Sequence, residues 1–238
     1  MRPDPQNARR ITLFAGHYGS GKTNVALNFA RMLKRAGGRV VVADLDIVNP
    51  YFRTKDSTAQ LAAEGIELVV SDYANSNVDF PALPKEIYAV VAPDEDAAGA
   101  SRMRAVIDVG GDDRGALALG RYVDDIRARG DYAMLGVINA SRPLTRTPAD
   151  TVAVLREIEV AGQLPFTGLV NNTNLGPDTT VEDVLASRDY ADEVARLMGV
   201  PVAFVSCRAD LAPDLSAKMP GMPVLPIEIQ ALYYQTTL

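Results

Sequence analysis

The 238-residue chain is poor in the residues that build stapled, zinc-bound or membrane-spanning proteins. It has one cysteine, Cys207, and one histidine, His17. A single cysteine closes no internal disulfide and suits a reducing compartment, so a cytoplasmic location is expected. Zinc sites draw on clustered cysteine and histidine, which this chain cannot supply. No apolar run approaches the ~20 residues of a membrane span. Residues 1–10 are polar, with Pro3 and Pro5, and no secretory h-region is readable. An excess of basic charge is missing too: 24 Lys and Arg stand against 30 Asp and Glu, a net charge of −6. Nucleic-acid binding leans on phosphate neutralisation by Lys and Arg, so it is not the expected function. What remains is 47% hydrophobic and 23% charged. That balance excludes disorder, collagen and coiled coil, and at this length it predicts one domain over residues 1–238.

Strand-like apolar runs alternate with helix-period segments. This order predicts an α/β fold, a doubly wound and mostly parallel sheet with helices on both faces. Strands are expected at 10–15, 39–44, 66–70, 103–109, 132–139, 165–171 and 202–206. The first helix is expected at 23–36, where Val25, Phe29, Met32, Leu33 and Ala36 form one stripe. Others are expected at 116–129, from the Thr147 cap to about 161, and from the Thr180 cap to 198, as one helix or two. Residues 73–101 read as loops with one short helix. The Pro-rich tail after Pro213 gives no clear element. Ligands of such a sheet bind at the C-terminal ends of its strands.

The strongest motif is Gly16, His17, Tyr18, Gly19, Ser20, Gly21, Lys22, Thr23, which fits G-x-x-x-x-G-K-[ST]. It follows a predicted strand and opens a predicted helix. Its glycines let successive backbone N–H groups point at one anion, and the positive end of the helix faces the same place. Lys22 is expected on the β- and γ-phosphates and the Thr23 hydroxyl on Mg²⁺. With Asn24, these residues form the expected phosphate-binding set of a P-loop nucleotide-binding protein.

Carboxylates stand at the ends of two later strands. Asp108 ends an apolar run and precedes Val109, Gly110, Gly111, Asp112 and Asp113, which reads as a Walker B strand followed by a switch. Its carboxylate is expected to hold Mg²⁺ through water. Asp44 and Asp46 flank Leu45 after the second strand; Asp44 is as readily structural as functional. The loop 139–147 is locally basic through Arg142 and Arg146.

Lys22 and Thr23, the helix residue Asn28 and the pair Asp44 and Asp46 together resemble the MinD/ParA/CobQ group of P-loop ATPases. The resemblance implies that Asp46 is the switch I aspartate, positioning water and contacting the magnesium shell. The expected catalytic set is thus Lys22, Asp46 and Asp108, and the expected metal set Thr23, Asp46 and Asp108. Asn171 and Asn172, after a late strand, stand where MinD-like proteins read adenine. Asn174 occupies the place of the carboxylate that GTPases use for guanine, which favours ATP. His17 replaces the lysine that reaches across the family's ATP-sandwich dimer.

The family's functions differ widely, and composition removes some. One cysteine cannot supply its share of a cluster bridging two subunits. The segment 226–238 has no Lys or Arg, unlike a basic membrane-binding helix. The resemblance then implies an Mg-ATP switch acting on a protein partner or metallocofactor enzyme, with a nucleotide-dependent homodimer. The alternative is an ATP-dependent synthase that activates a carboxylate, resembling cobyrinate diamide synthase or dethiobiotin synthetase. A P-loop kinase would want an arginine-rich lid, for which Arg102, Arg104 and Arg114 are the candidates.

Overall fold

The computed structural model describes residues 1–45, 58–70, 103–111, 116–117 and 119–228. Among these residues, eight strands form one sheet: β1 Ile11–Ala15, β2 Val40–Asp44, β3 Glu67–Val70, β4 Arg104–Asp108, β5 Tyr132–Ile138, β6 Gly168–Asn171, β7 Val202–Arg208 and β8 Val224–Ile227. Their order is β3-β2-β4-β1-β5-β6-β7-β8, and every pairing is parallel. A parallel sheet covered on both faces demands apolar strands, and β1 and β2 are buried along their whole length.

The helices are α1 Lys22–Arg35, α2 Thr58–Ala63, α3 Val123–Arg129, α4 Pro148–Gly162, α5 Val181–Ala186, α6 Arg188–Met198 and α7 Ala212–Lys218. They cover both faces of the sheet. Ile11, Leu13 and Ala15 pack with Tyr122, Leu155, Val194 and Met198 on one face. Phe14 packs with Val25, Phe29 and Leu33 of α1 on the other. Phe14 and Phe29 meet edge to face at 5.3 Å, and Phe29 stacks on Phe204 at 6.0 Å. This aromatic trio fixes α1, and so Lys22 and Thr23 at its start, over β1 and β7.

The departures from expectation have local causes. The segment 116–129 turns 3-10 over Gly120–Tyr122 before α3 begins. The segment from Thr180 takes the two-helix form of the expectation, dividing at Ser187, whose hydroxyl bonds back to the Val184 carbonyl at 2.7 Å. The tail contains α7, with proline in its first turn, and then β8. Pro226 is compatible with β8 because that strand lies at the sheet edge, where a missing N–H costs no ladder bond. Expectations for Asp46, Arg102, Asp112, Asp113, Arg114 and residues 73–101 fall outside the described residues.

Candidate phosphate-binding site

β1 lies at the centre of the sheet, between β4 and β5. The chain leaves its C-terminal end through the loop 16–21 and enters α1. The Ser20 N–H closes a turn on the His17 carbonyl at 3.0 Å, and Gly21 is the left-handed N-cap of α1, with φ 87°. Lys22 and Thr23 sit in the first turn and are buried.

The β1–β4 pairing sets Asp108 beside Phe14, and the Val109 N–H donates to the Phe14 carbonyl at 2.9 Å. Asp108 therefore arrives at the loop, where Thr23 Oγ1 donates to its Oδ2 at 2.6 Å in a buried contact. A hydroxyl and a carboxylate held together are the oxygen-only donors that suit Mg²⁺. Gly111 continues from this strand onto the loop. A Cβ built on it would stand 2.9 Å from the Tyr18 nitrogen and 3.1 Å from Lys22 Nζ. The expected switch segment thus starts in contact with both the loop and its lysine.

A cavity of about 390 Å³ opens over these groups. Gly19, Gly21, Lys22, Thr23 and Asn24 line one end, with Tyr18 at the rim. Asn174, Gly176, Thr179, Cys207, Arg208 and Ile227 line the other. Arg142 and Asn172 complete the wall, and no Asp or Glu is present among the described lining residues.

Several expected residues stand behind the cavity instead of in it. Gly16 lies against β5, where a Cβ would meet the Val137 carbonyl oxygen at 2.4 Å. Ser20 is buried. His17 lines a different, open groove with Gly111, Leu144 and Val160. The asparagine pair divides between the two places. Asn171 is buried, donating from Nδ2 to Ser187 Oγ at 2.8 Å and accepting the Thr173 N–H at 3.1 Å. Its amide holds the β6 end to the α5–α6 junction, and Asn171 is not among the residues that line the cavity.

Asn172 does line the cavity, but its amide braces the loop. Nδ2 donates to the Ser20 carbonyl at 2.7 Å, and Oδ1 accepts from Ser206 Oγ at 2.7 Å. The loop 16–21 is thereby tied to β6 and β7. Replacing Asn172 by Ala leaves two buried partners unsatisfied, at roughly 1–3 kcal/mol. Affinity for ATP, GTP and inorganic tripolyphosphate should fall alike, by about tenfold or more in calorimetric titration. Loss confined to one nucleotide would instead make Asn172 a base reader.

Three further contributions had little sequence signal. The Asn28 amide donates to the Glu228 carbonyl and accepts the Glu228 N–H, both at 3.0 Å. It thus ties the β8 end to α1 and sets Ile227 in the cavity wall. The loop that carries Arg142 is pinned where the Thr151 and Tyr190 hydroxyls reach the Thr145 carbonyl at 3.0 and 2.9 Å. Burial pushes the Tyr190 hydroxyl up to about 12, so it remains a donor. Arg142 then lies along Gly19, its Nε 3.8 Å from the Cβ position there. Cys207 is buried, and desolvation, with Asp210 adding to it, pushes its thiol up to about 11. It is a neutral, weakly polar wall at physiological pH.

Among the described residues, no helix is long and apolar enough to cross a membrane. The sequence profile of the CobQ/CobB/MinD/ParA nucleotide binding domain matches residues 11–178. Among curated proteins, none matches this chain. Solved structures of similar fold include a chloroplast FtsY from Physcomitrella patens, at 16% identity and TM-score 0.56, covering 86% of this chain and 60% of that one. Another is signal recognition particle 54 kDa protein from Aeropyrum pernix K1 in complex with GDP, at 14% identity and TM-score 0.54, covering 85% and 42%. FtsY from Thermotoga maritima matches at 18% identity and TM-score 0.51, covering 87% and 64%. This chain spans less than two thirds of each of these proteins, and the likeness is one of fold.

Proposed function

This chain belongs to the CobQ/CobB/MinD/ParA nucleotide-binding domain family, and on that premise we propose that it is an Mg-ATP-dependent switch that hydrolyses ATP slowly and acts on a protein partner or metallocofactor enzyme. The observation that carries this reading is the charge of the cavity. On a chain of net charge −6, Lys22 and Arg142 line it, with Arg208 paired to Asp210 at 2.7 Å, and no described carboxylate is among its lining residues. Such a concave site at a helix N-terminus attracts a polyanion.

The backbone amides of the loop and Lys22 grip the phosphates, and Arg142 adds a second cation beside Gly19. Thr23 and Asp108 are the residues to hold Mg²⁺, which when bound would neutralise charge on the phosphate oxygens. Asp46 takes the water-orienting role that the family resemblance gives it. ATP is preferred to GTP because guanine's N1–H and N2–H call for an acceptor carboxylate, whereas Asn174 offers an amide. That amide is already folded into its own turn, donating to the Asn172 carbonyl at 2.7 Å and accepting the Gly176 N–H at 3.1 Å. Gly111, packed on the loop and on Lys22, is where γ-phosphate occupancy would be transmitted to a partner-facing segment.

Gel filtration of the full chain with Mg-ATP and with Mg-ADP, alongside phosphate release, tests the switch. Expected are a larger species with ATP than with ADP and slow phosphate release. One unchanged species in both nucleotides would count against it.

A further inference from the structure

The strands on either side of β1 bring opposite charges to the loop 16–21. β4 delivers the Asp108 carboxylate, and β5 leads into the loop that carries Arg142. The geometry points to Arg142 as a catalytic residue of ATP hydrolysis, a cation built into the chain's own site that stabilises the charge gathering between the leaving diphosphate and the phosphoryl group in transit. This role rests on the Mg-ATPase reading above; it concerns the rate of that reaction more than the grip on its substrate.

The backbone that carries Arg142 is fixed from both sides. Its N–H donates to the Asn139 carbonyl at 3.2 Å, and its carbonyl accepts the Thr145 N–H at 3.1 Å. Asn139 is fully buried and anchors the turn: its carbonyl also accepts from Thr145 Oγ1 at 2.8 Å, and its Oδ1 accepts the Ser141 N–H at 2.9 Å. The Ala140 N–H donates to Thr173 Oγ1 at 3.1 Å, which ties the same turn to the segment after β6. The point from which the side chain starts is thus set before a nucleotide arrives, and such positioning is worth most in a reaction. Gly19 makes room for the stem. It stands at φ 78°, and a Cβ built there would lie 3.9 Å from Arg142 Cδ and 3.8 Å from Nε. The stem runs along the loop, and Arg142 lines the cavity.

Its fork is uncommitted. Among the described residues the Arg142 guanidinium has no hydrogen-bond or ion-pair partner, whereas Arg208, the other arginine of the wall, is paired with Asp210 at 2.7 Å. Arg142 is also exposed, so water screens it and a resting phosphate gains little from it. The buried Lys22 serves the resting complex. Hydrolysis changes what the fork faces. The water oxygen bonds to the γ-phosphorus as the bond from that phosphorus to the bridging oxygen breaks. The bonding pair stays on the bridging oxygen, which becomes a terminal oxygen of ADP. One water proton remains on the released phosphate and the other passes to solvent. The bridging oxygen carries little charge in the triphosphate and gains it as the bond opens, so a cation beside it binds the transition state more tightly than the substrate. A planar fork can hold two such oxygens at once.

Single-turnover phosphate release at saturating Mg-ATP, with calorimetric affinities for Mg-ATP and for ADP–aluminium fluoride, tests the assignment on the full chain as wild type, Arg142→Ala and Arg142→Lys. The side chain is exposed, so both variants should fold. Arg142→Ala is expected to slow phosphate release at least about 100-fold, while ATP affinity falls no more than about fivefold. Affinity for ADP–aluminium fluoride, a mimic of the phosphoryl group in transit, should fall far more steeply than affinity for ATP. Arg142→Lys keeps the charge without the fork and should recover no more than about a tenth of the wild-type rate. Release at the wild-type rate in Arg142→Ala would overturn the assignment. So would ATP affinity falling in step with the rate, which would make Arg142 part of the grip alone. Full recovery in Arg142→Lys would overturn the contact by a planar fork. If wild type bound Mg-ATP but released no phosphate, the hydrolysis reading itself would fall and the assignment with it.

Discussion

Gly21→Ala should abolish measurable ATP binding while the sheet still folds. The residue stands at φ 87°, ψ 17°, a left-handed conformation that costs an L residue roughly 1–2 kcal/mol. Its surroundings are worse than its backbone. A Cβ here would lie 2.3 Å from Asn172 Nδ2 and 3.6 Å from its Cγ. Asn172 has nowhere cheap to go, because its amide is buried between the Ser20 carbonyl and the Ser206 hydroxyl. Accommodating one methyl group thus breaks the brace, frees the loop and lets its inward N–H groups turn away from the anion. An affinity loss beyond about 100-fold is expected, from strain, a broken brace and lost amide contacts together. Circular dichroism should show a folded protein with a modestly lowered melting temperature. Near-wild-type ATP affinity in Gly21→Ala would mean that the loop geometry does not matter for binding.

Lys22→Ala should cost at least about 100-fold in ATP affinity and eliminate phosphate release. The ammonium is the deepest cation of the cavity, on a residue only 5% exposed. Charge-assisted bonds to phosphate in such partly desolvated surroundings are the strong ones. Shape matters as well as charge. A Cβ built on Gly111 would stand 3.1 Å from Lys22 Nζ and 2.9 Å from the Tyr18 backbone nitrogen, so the backbone closes in beside the ammonium. There is little room for a planar fork, so Lys22→Arg should retain little of the affinity although it keeps the charge. Wild-type turnover in Lys22→Arg would show that only the charge counts.

How much of this was legible in the sequence follows from the range of the interactions involved. The loop 16–21 was readable as a candidate phosphate loop because the chemistry proposed for it resides in the main chain, and glycine spacing within one short segment is enough to suggest it. Asp108 was readable for a similar reason: a carboxylate ending an apolar run lands at the strand end, beside the loop if the strands are neighbours, as the register of β1 and β4 confirms. The asparagine pair shows where such reasoning stops. Successive residues at a strand end face opposite sides. Asn171 turns to Ser187 and Asn172 to Ser20, and the sequence does not say which neighbour each will meet.

Long-range partners were the least visible. Ser206 is an ordinary serine in a strand until Asn172 lies opposite it, and Asn28 an ordinary helical asparagine until β8 arrives at its amide. β8 itself was hidden by Pro226, which argues against a central strand but is harmless on an edge. Arg142, on a loop, and Arg208, at the end of β7, stand 66 positions apart (142 to 208) and share a cavity only because β5, β6 and β7 are adjacent in the sheet.

The most direct measurement is a calorimetric titration of the wild-type chain with Mg-ATP, followed by displacement with inorganic tripolyphosphate. Expected is one site per chain, emptied competitively by the triphosphate alone, because the main grip is on phosphate. Absence of ATP binding, or binding that tripolyphosphate cannot displace, would contradict a phosphate grip by residues 16–24.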